Sequence, residues 1–278
     1  MVKQKLIVTH HSPDIDAVGS VWILKRFDPE YSDAKLAFVP AGEKISPKKS
    51  RGFDVVHVDT GLGAFDHHQH NLDTCGAKLA WEWIKKERGL VDEACDRVIE
   101  LINSYDHAKD LSWSDALEDK AEESLSHVLD GWKAVYPGKD KKLVEWGMVY
   151  LDGFYEAIKS KISAQKTILE KGIKFKTRWG DGVAIETKND KVLEIAEKIG
   201  YVVVVKREKK DGFLRIYARA DKGVDLTGAF EKFKKVDPLA TWYLHPSKCL
   251  LLNGSRKKPG MKPSNLNLEE VVKIIEGA

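Results

Sequence analysis

An α/β fold is predicted for this chain, with an N-terminal parallel sheet, a long connecting helix and a smaller C-terminal α+β domain. Three features point to it. Short β-branched runs alternate with helical patterns from Lys5 to His107, the rhythm of a parallel sheet with crossover helices. A proline-free stretch from Leu143 to Gly172 has helix-favouring composition and ends on a glycine suited to a C-cap. Beyond it the pattern changes to longer strand-like runs separated by short helices. The expected division is residues 1–135 as the first domain, 136–172 as a helical linker and 173–278 as the second domain.

Taken in order, "KLIVT" (Lys5 to Thr9) is short, apolar and β-branched, and "DAVGSVWILKRF" (Asp16 to Phe27) carries apolar residues at helical spacing. Strands are expected at "KLAFVP" (Lys35 to Pro40) and "FDVVHVDTG" (Phe53 to Gly61), and amphipathic helices at Cys75 to Gly89 and Val91 to His107. In the second half, "KFKTRWGDGVAIET", "YVVVVKRE" and "GFLRIYARA" read as strands. "KVLEIAEKIG", "LTGAFEKFKK" and "NLEEVVKIIEG" read as helices. The acidic "DALEDKAEE" after Asp115 reads as a solvated helix face.

Composition narrows the function classes. A chain of 278 residues with 42% hydrophobic content can bury one large core or two ordinary ones. Net charge is only +3, too little for a protein that wraps nucleic acid over its whole surface, so any basic site is local. Cys75, Cys95 and Cys249 are odd in number and lack Cys-x-x-Cys spacing, against a disulfide framework or a zinc ribbon. No run of about 18 apolar residues and no signal-like start occur, so a cytoplasmic protein without a membrane span is expected.

The chemistry-bearing residues gather behind the strands. His10, Asp14 and Asp16 follow the first one, where an open parallel sheet presents its ligand crevice. Asp59 ends the third, with Asp66, His67 and His68 on the loop beyond. Carboxylate and imidazole donors suit Mn²⁺, Mg²⁺, Zn²⁺ or Fe²⁺, and an aspartate flanked by others is what a two-metal phosphoryl-transfer site needs. Any one of these residues has an ordinary reading: a strand-end aspartate is usually a turn former or N-cap, and a loop histidine is usually solvated. The ordered combination His-x-x-x-Asp-x-Asp, then Asp, then Asp-His-His is what independent turns would rarely produce.

These motifs, "HHSPDIDA" and "FDHHQH", resemble those of the DHH phosphoesterase superfamily, whose members are typically manganese-dependent and include exonucleases, cyclic-dinucleotide phosphodiesterases and family II pyrophosphatases. The resemblance implies two Mn²⁺ ions, with Mg²⁺ or another divalent metal as substitute. It places His10 and Asp14 on one ion, Asp16 and His67 on the second, and Asp59 across both. Asp66 would support the second ion without touching it, and His68 would face the substrate phosphate. A closing aspartate is supplied by "INSYDHAKD" as Asp106, with Asp110 as alternative, although this segment departs from the family's Asp-Thr-Gly form. "DHHQ" and "WYLHPSKCLLLNGS" are also similar to MYG-type exonucleases. The implied reaction is hydrolysis of a phosphodiester in a short oligonucleotide or nucleotide-derived substrate by water activated between two metals. His11 and His107 adjoin ligand positions and are read as local hydrogen-bonding groups or, for His107, a site wall.

Substrate selection is expected from the second domain. "NGSRKKPGMKP" sets Arg256, Lys257 and Lys258 among glycines, so the backbone can approach an anion held by three cations. "SRKK" is similar to a basic signature of family II pyrophosphatases, which makes manganese-dependent pyrophosphatase the alternative, followed by a non-catalytic phosphate-ligand binding protein. Arg215 and Arg219, on one strand face, would extend such a clamp or form an outer polar face. Trp179, Trp242 and Tyr243 would stack on bases or belong to the core. A phosphate-containing small molecule or short single-stranded nucleic acid is the expected partner; oligomeric state is left open.

Overall fold

The structure is a computed structural model that describes residues 3–69, 71–254, 258 and 260–278. Its contacts divide the chain into two compact units, Met1–Ile158 and Lys159–Ala278.

The first unit begins with β1 (Gln4–His10), α1 (Ile15–Phe27), β2 (Lys35–Val39), a single helical turn α2 (Pro47–Ser50) and β3 (Phe53–His57). The three strands form a parallel sheet in the order β2-β1-β3, with Val8 opposite Ala37 on one side and His57 on the other. β1 is central, and Ile7 and Val8 are fully buried, as an apolar run flanked by two strands requires. Helices α3 (Gly76–Arg88) and α4 (Glu93–Asp106) follow, then 3₁₀ turns at Lys109–Ser112 and Asp119–Glu123, α5 (Leu125–Val135) and α6 (Asp140–Lys171). The acidic segment after Asp115 is thus an exposed turn region. α5 has no counterpart in the sequence reading, because "LSHVLDGWKAV" is short and carries a glycine.

Asp14 caps α1: its side chain accepts from the backbone N–H groups of Asp16 and Ala17. Asp92 does the same for α4. Between α1, α3 and the first half of α6 lies an aromatic cluster in which Trp22, Phe27 and Tyr155 meet edge to face and Phe27 packs on Trp81. The buried indoles are satisfied, Trp22 donating to Asp152 and Trp81 to Asp96.

In the second unit, β4 (Ile173–Thr177), β5 (Gly180–Glu186), α7 (Lys191–Ile199), β6 (Val203–Arg207), β7 (Leu214–Ala218), α8 (Thr227–Val236), β8 (Trp242–Leu244), β9 (Leu250–Asn253) and α9 (Leu268–Glu276) build a six-stranded sheet in the order β4-β5-β6-β7-β9-β8. Only β5 and β6 are parallel, joined through α7. Alternate residues serve two cores, the period-two consequence of the pleat. Val183, Ile185 and Val204 pack with Val192 and Ile195 of α7, whereas Ala184, Val203, Val205 and Ile216 pack with Phe233 and Val271 of α8 and α9. Trp242 stacks on Phe233 at 4.4 Å and Trp179 packs against the same core, so both belong to its packing.

Candidate metal centre

Parallel strands present their C-terminal ends at one edge of a sheet, and at this edge the predicted donors meet. His10 is the last residue of β1. Its Nδ1 donates to the carbonyl of His11 at 2.8 Å, which turns Nε2 inward, 3.1 Å from Asp59 Oδ2 and 3.7 Å from Asp14 Oδ2. Asp59 lies just beyond β3, on a residue with φ of +49°. A left-handed conformation is strained for a side-chain-bearing residue, and here it holds a carboxylate that is 3% exposed.

The loop that returns from this turn places His67 at the centre of the group. His67 Nε2 stands 3.6 Å from Asp59 Oδ1, 3.7 Å from Asp16 Oδ2 and 3.6 Å from Asp106 Oδ2 at the end of α4. These separations are too long for hydrogen bonds. They are of the order that donor atoms keep when each reaches one cation about 2.1 Å away. Both His67 Nε2 and Asp59 Oδ1 are buried and have no hydrogen-bond partner among the described residues. Three overlapping groups offer donors within 4.8 Å of one another: His10, Asp14 and Asp59; Asp16, His67 and Asp106; Asp59, His67 and His68. An orphaned buried imidazole nitrogen beside an orphaned carboxylate oxygen, amid further carboxylates, is a donor set fitted to divalent cations.

Asp16 is fully buried and held by a contact that sequence reading did not reach. Its two carboxylate oxygens accept from the backbone N–H groups of Gly76 (2.6 Å) and Ala77 (2.7 Å), buried donors at the start of α3 that have no partner within the helix. The hint was local: Cys75, at the N-cap, supplies no side-chain acceptor, so the helix must find one elsewhere. A Cβ at Gly76 would lie 2.9 Å from the carbonyl oxygen of Phe65 and 3.0 Å from Asp16 Oδ2, so glycine is needed for this approach.

Asp66 is buried and accepts from the backbone N–H of Leu62 at 2.7 Å and of His68 at 3.1 Å, and its Oδ1 lies 2.8 Å from His68 Nδ1. It therefore holds the loop and orients His68, whose side chain is otherwise mostly exposed. Against the cost of burial, those bonds keep the Asp66 carboxyl below the usual carboxylate range. The other carboxyls shift the opposite way. Burial, then the charge of Asp16, pushes Asp59 up to about 9 and Asp106 up to about 7. Asp16 is raised by burial as well. Burial disfavours a charged His10, yet Asp14 and Asp59 outweigh it and raise its pKa to about 11. The metal-free centre thus retains protons where cations would replace them.

His11 is an outer contact, its Nδ1 2.7 Å from Asp140 Oδ2, and His107 donates from Nδ1 to the carbonyl of Asn103 with its ring 6.1 Å from that of His67. Asp110, the alternative to Asp106, falls in none of the donor groups and faces His127. Of the predicted anion loop, Lys258 is exposed, and Arg256 and Lys257 lie outside the described residues. Arg215 is paired with Asp190 and Arg219 with Asp221. Among the described residues no helix is long and apolar enough to cross a membrane.

Fold and donor set define an α/β protein with an acidic, histidine-containing centre at the edge of a parallel sheet. The family described as the C-terminal domain of ChrB matches residues 7–158, which include every one of these donors. The match exceeds half of the 278 residues, and the chain belongs to that family. The DHH resemblance rests on the motifs themselves. Among solved structures, the chain is similar to exonuclease RecJ bound to manganese at 11% identity and a TM-score of 0.34, covering 99% of this chain and 90% of that one. It is also similar to RecJ from Thermus thermophilus in complex with Mg²⁺, at 12% identity and a TM-score of 0.31, covering 98% of this chain and 49% of the other. No curated protein matches.

Proposed function

We propose that the chain is a divalent-metal-dependent phosphohydrolase of DHH type, cleaving a phosphodiester in a short oligonucleotide or nucleotide-derived substrate. The observation that carries this reading is the pair of buried, unpartnered atoms Asp59 Oδ1 and His67 Nε2, ringed by Asp16 and Asp106. His10 and Asp14 are assigned to one cation, Asp16, His67 and Asp106 to a second, and Asp59 to both. Two divalent cations, manganese by preference, would supply Lewis acidity toward a phosphoryl oxygen and lower the pKa of water toward neutrality.

The chain's own groups carry the rest. Asp66 fixes His68 through Nδ1 and leaves Nε2 turned outward, where a protonated ring can donate to a phosphoryl oxygen or to the departing oxygen. The His11 carbonyl fixes the His10 tautomer, and the α3 N-terminus holds Asp16. Substrate selection is assigned to residues 173–278 and to Arg256, Lys257 and Lys258.

The test is product release by metal-stripped protein reconstituted with Mn²⁺, offered short RNA and DNA oligomers, cyclic dinucleotides and pyrophosphate. Mononucleotides from wild type and none from His67→Ala support the reading. Orthophosphate from pyrophosphate alone makes the protein a pyrophosphatase, and no product from any substrate overturns hydrolysis.

A further inference from the structure

A cavity of about 450 Å³ opens within the first unit, lined by Tyr105, Asp110, Trp113, Lys120, His127 and Tyr150. That volume is within the range of small-molecule sites. It shares Tyr105 and Tyr150 with a narrower apolar slot of about 100 Å³ that is walled by Ile15 and Phe154. Tyr105, in the cavity wall, directly precedes Asp106, and Ile15, in the slot wall, separates Asp14 from Asp16.

Its chemistry is aromatic and acceptor-rich. Tyr105 meets Trp113 at 5.5 Å and 63° and His127 at 6.3 Å and 79°, and Trp113 keeps 40% of its surface exposed at the mouth. Asp110 is 8% exposed and is met by His127 Nε2 at 3.5 Å, beyond hydrogen-bond distance. His127 Nδ1 donates to the carbonyl of Ala121, which fixes the ring with Nε2 toward Asp110 Oδ2. The Tyr150 hydroxyl is spent on the carbonyl of Glu123. Lys120 is paired with Asp115 and Glu118.

From this arrangement we infer that the cavity binds a guanine base, a reading that rests on the nucleotide-directed function proposed above. A buried carboxylate only accepts, and takes two parallel donors best. Guanine presents two adjacent donors, N1–H and the 2-amino group. Adenine and cytosine set a ring acceptor beside their amino group, and uracil offers one N–H between two carbonyls. An acceptor facing Asp110 is repelled, so guanine alone matches. Trp113 and Tyr105 supply the flat surfaces that stack on a base.

The experiment is calorimetric titration of the metal-free full-length protein with guanosine, inosine, adenosine, cytidine and uridine. Saturable guanosine binding is expected, with adenosine and the pyrimidine nucleosides weaker by at least about tenfold and inosine, lacking the 2-amino group, between them. Asp110→Asn should weaken guanosine by at least about tenfold. Trp113→Ala, at a half-exposed position where folding is not at stake, should weaken all purines together. Guanosine that fails to saturate, guanosine and adenosine that bind alike, or guanosine binding unchanged in both variants overturns the pocket. Because no metal or cleavage is involved, guanosine binding without phosphodiesterase activity keeps this inference while sinking the hydrolase reading, and the converse result does the reverse.

Discussion

His67 Nε2 and Asp59 Oδ1 face each other at 3.6 Å, both buried and neither bonded to any described residue. Two buried polar atoms left unpaired cost stability unless something else satisfies them. A cation would, and the centre is arranged for binding at the expense of the metal-free fold. Asp59→Asn should therefore stabilise the metal-free protein, by about 1–2 kcal/mol, while removing most manganese affinity. Thermal melts of stripped wild type and variant, paired with manganese titration, check both halves. A variant that melts lower than wild type and still binds manganese would contradict the assignment of Asp59.

The same crowding sets a pH dependence. An aspartyl group ordinarily titrates near 3.9 when unfolded, whereas Asp59 and Asp106 are raised to about 9 and about 7. Raised carboxyls favour folding most below the unfolded value, and that contribution is lost as pH climbs through 7 and then 9. His10, raised to about 11, acts in the same direction, losing its contribution from its unfolded value upward. The stripped protein should melt progressively lower from pH 5 to pH 9, and the rise in melting temperature on adding manganese should widen over that range. A manganese effect independent of pH would separate the binding site from these carboxyls.

The approach of α3 to Asp16 can be tested at one atom's cost. In Gly76→Ala the new methyl meets the carbonyl oxygen of Phe65 and the Oδ2 of Asp16, and the backbone carbonyl has little room to retreat. A loss of about 1–3 kcal/mol in stability is expected, together with weaker metal binding as Asp16 moves. Gly153→Ala is the control: it lies on the exposed face of α6 with no atom near the added methyl. There the change should stabilise by about 0.5–1 kcal/mol through helix propensity and leave metal binding untouched.

Local pattern accounts for how far the site was legible. The β1 and β3 runs announce their strands, and strand ends in one parallel sheet must converge, so His10, Asp14, Asp16 and Asp59 could be placed together before any coordinates. Asp106 was reachable only through the family resemblance, which calls for a closing aspartate that "INSYDHAKD" supplies. Asp16's anchoring on Gly76 and Ala77 was not, since the donors are backbone groups 60 and 61 positions away that carry no side-chain signature. The pairing of Asp66 with His68, rather than with the buried His67, depends on a loop conformation that no periodicity encodes. Arg215 and Arg219 read as an outer polar face before an anion clamp; the structure pairs them with Asp190 and Asp221, one of them 25 residues distant in sequence.

Lys206 shows the limit of such reading in the second unit. In "YVVVVKRE" it looks like the polar end of a strand, yet it is 1% exposed, bonded to Asp190 and, at 2.9 Å, to Glu208 Oε1. Arg215 joins the same cluster through Asp190 at 2.9 Å. Removing this buried cation takes a charge partner from Glu208, which is nearly as buried, and from Asp190, so Lys206→Ala should cost about 3–5 kcal/mol. Lys206→Met keeps the volume but not the charge and should recover only the packing part of that loss. Combining Lys206→Met with Glu208→Gln removes the buried carboxylate that faced the lost cation and leaves Asp190 on Arg215, and it should restore part of the remainder. Denaturant melts of the three variants decide the matter. If the double variant is no more stable than Lys206→Met, the pair's worth lies in the hydrogen bonds themselves and not in charge compensation.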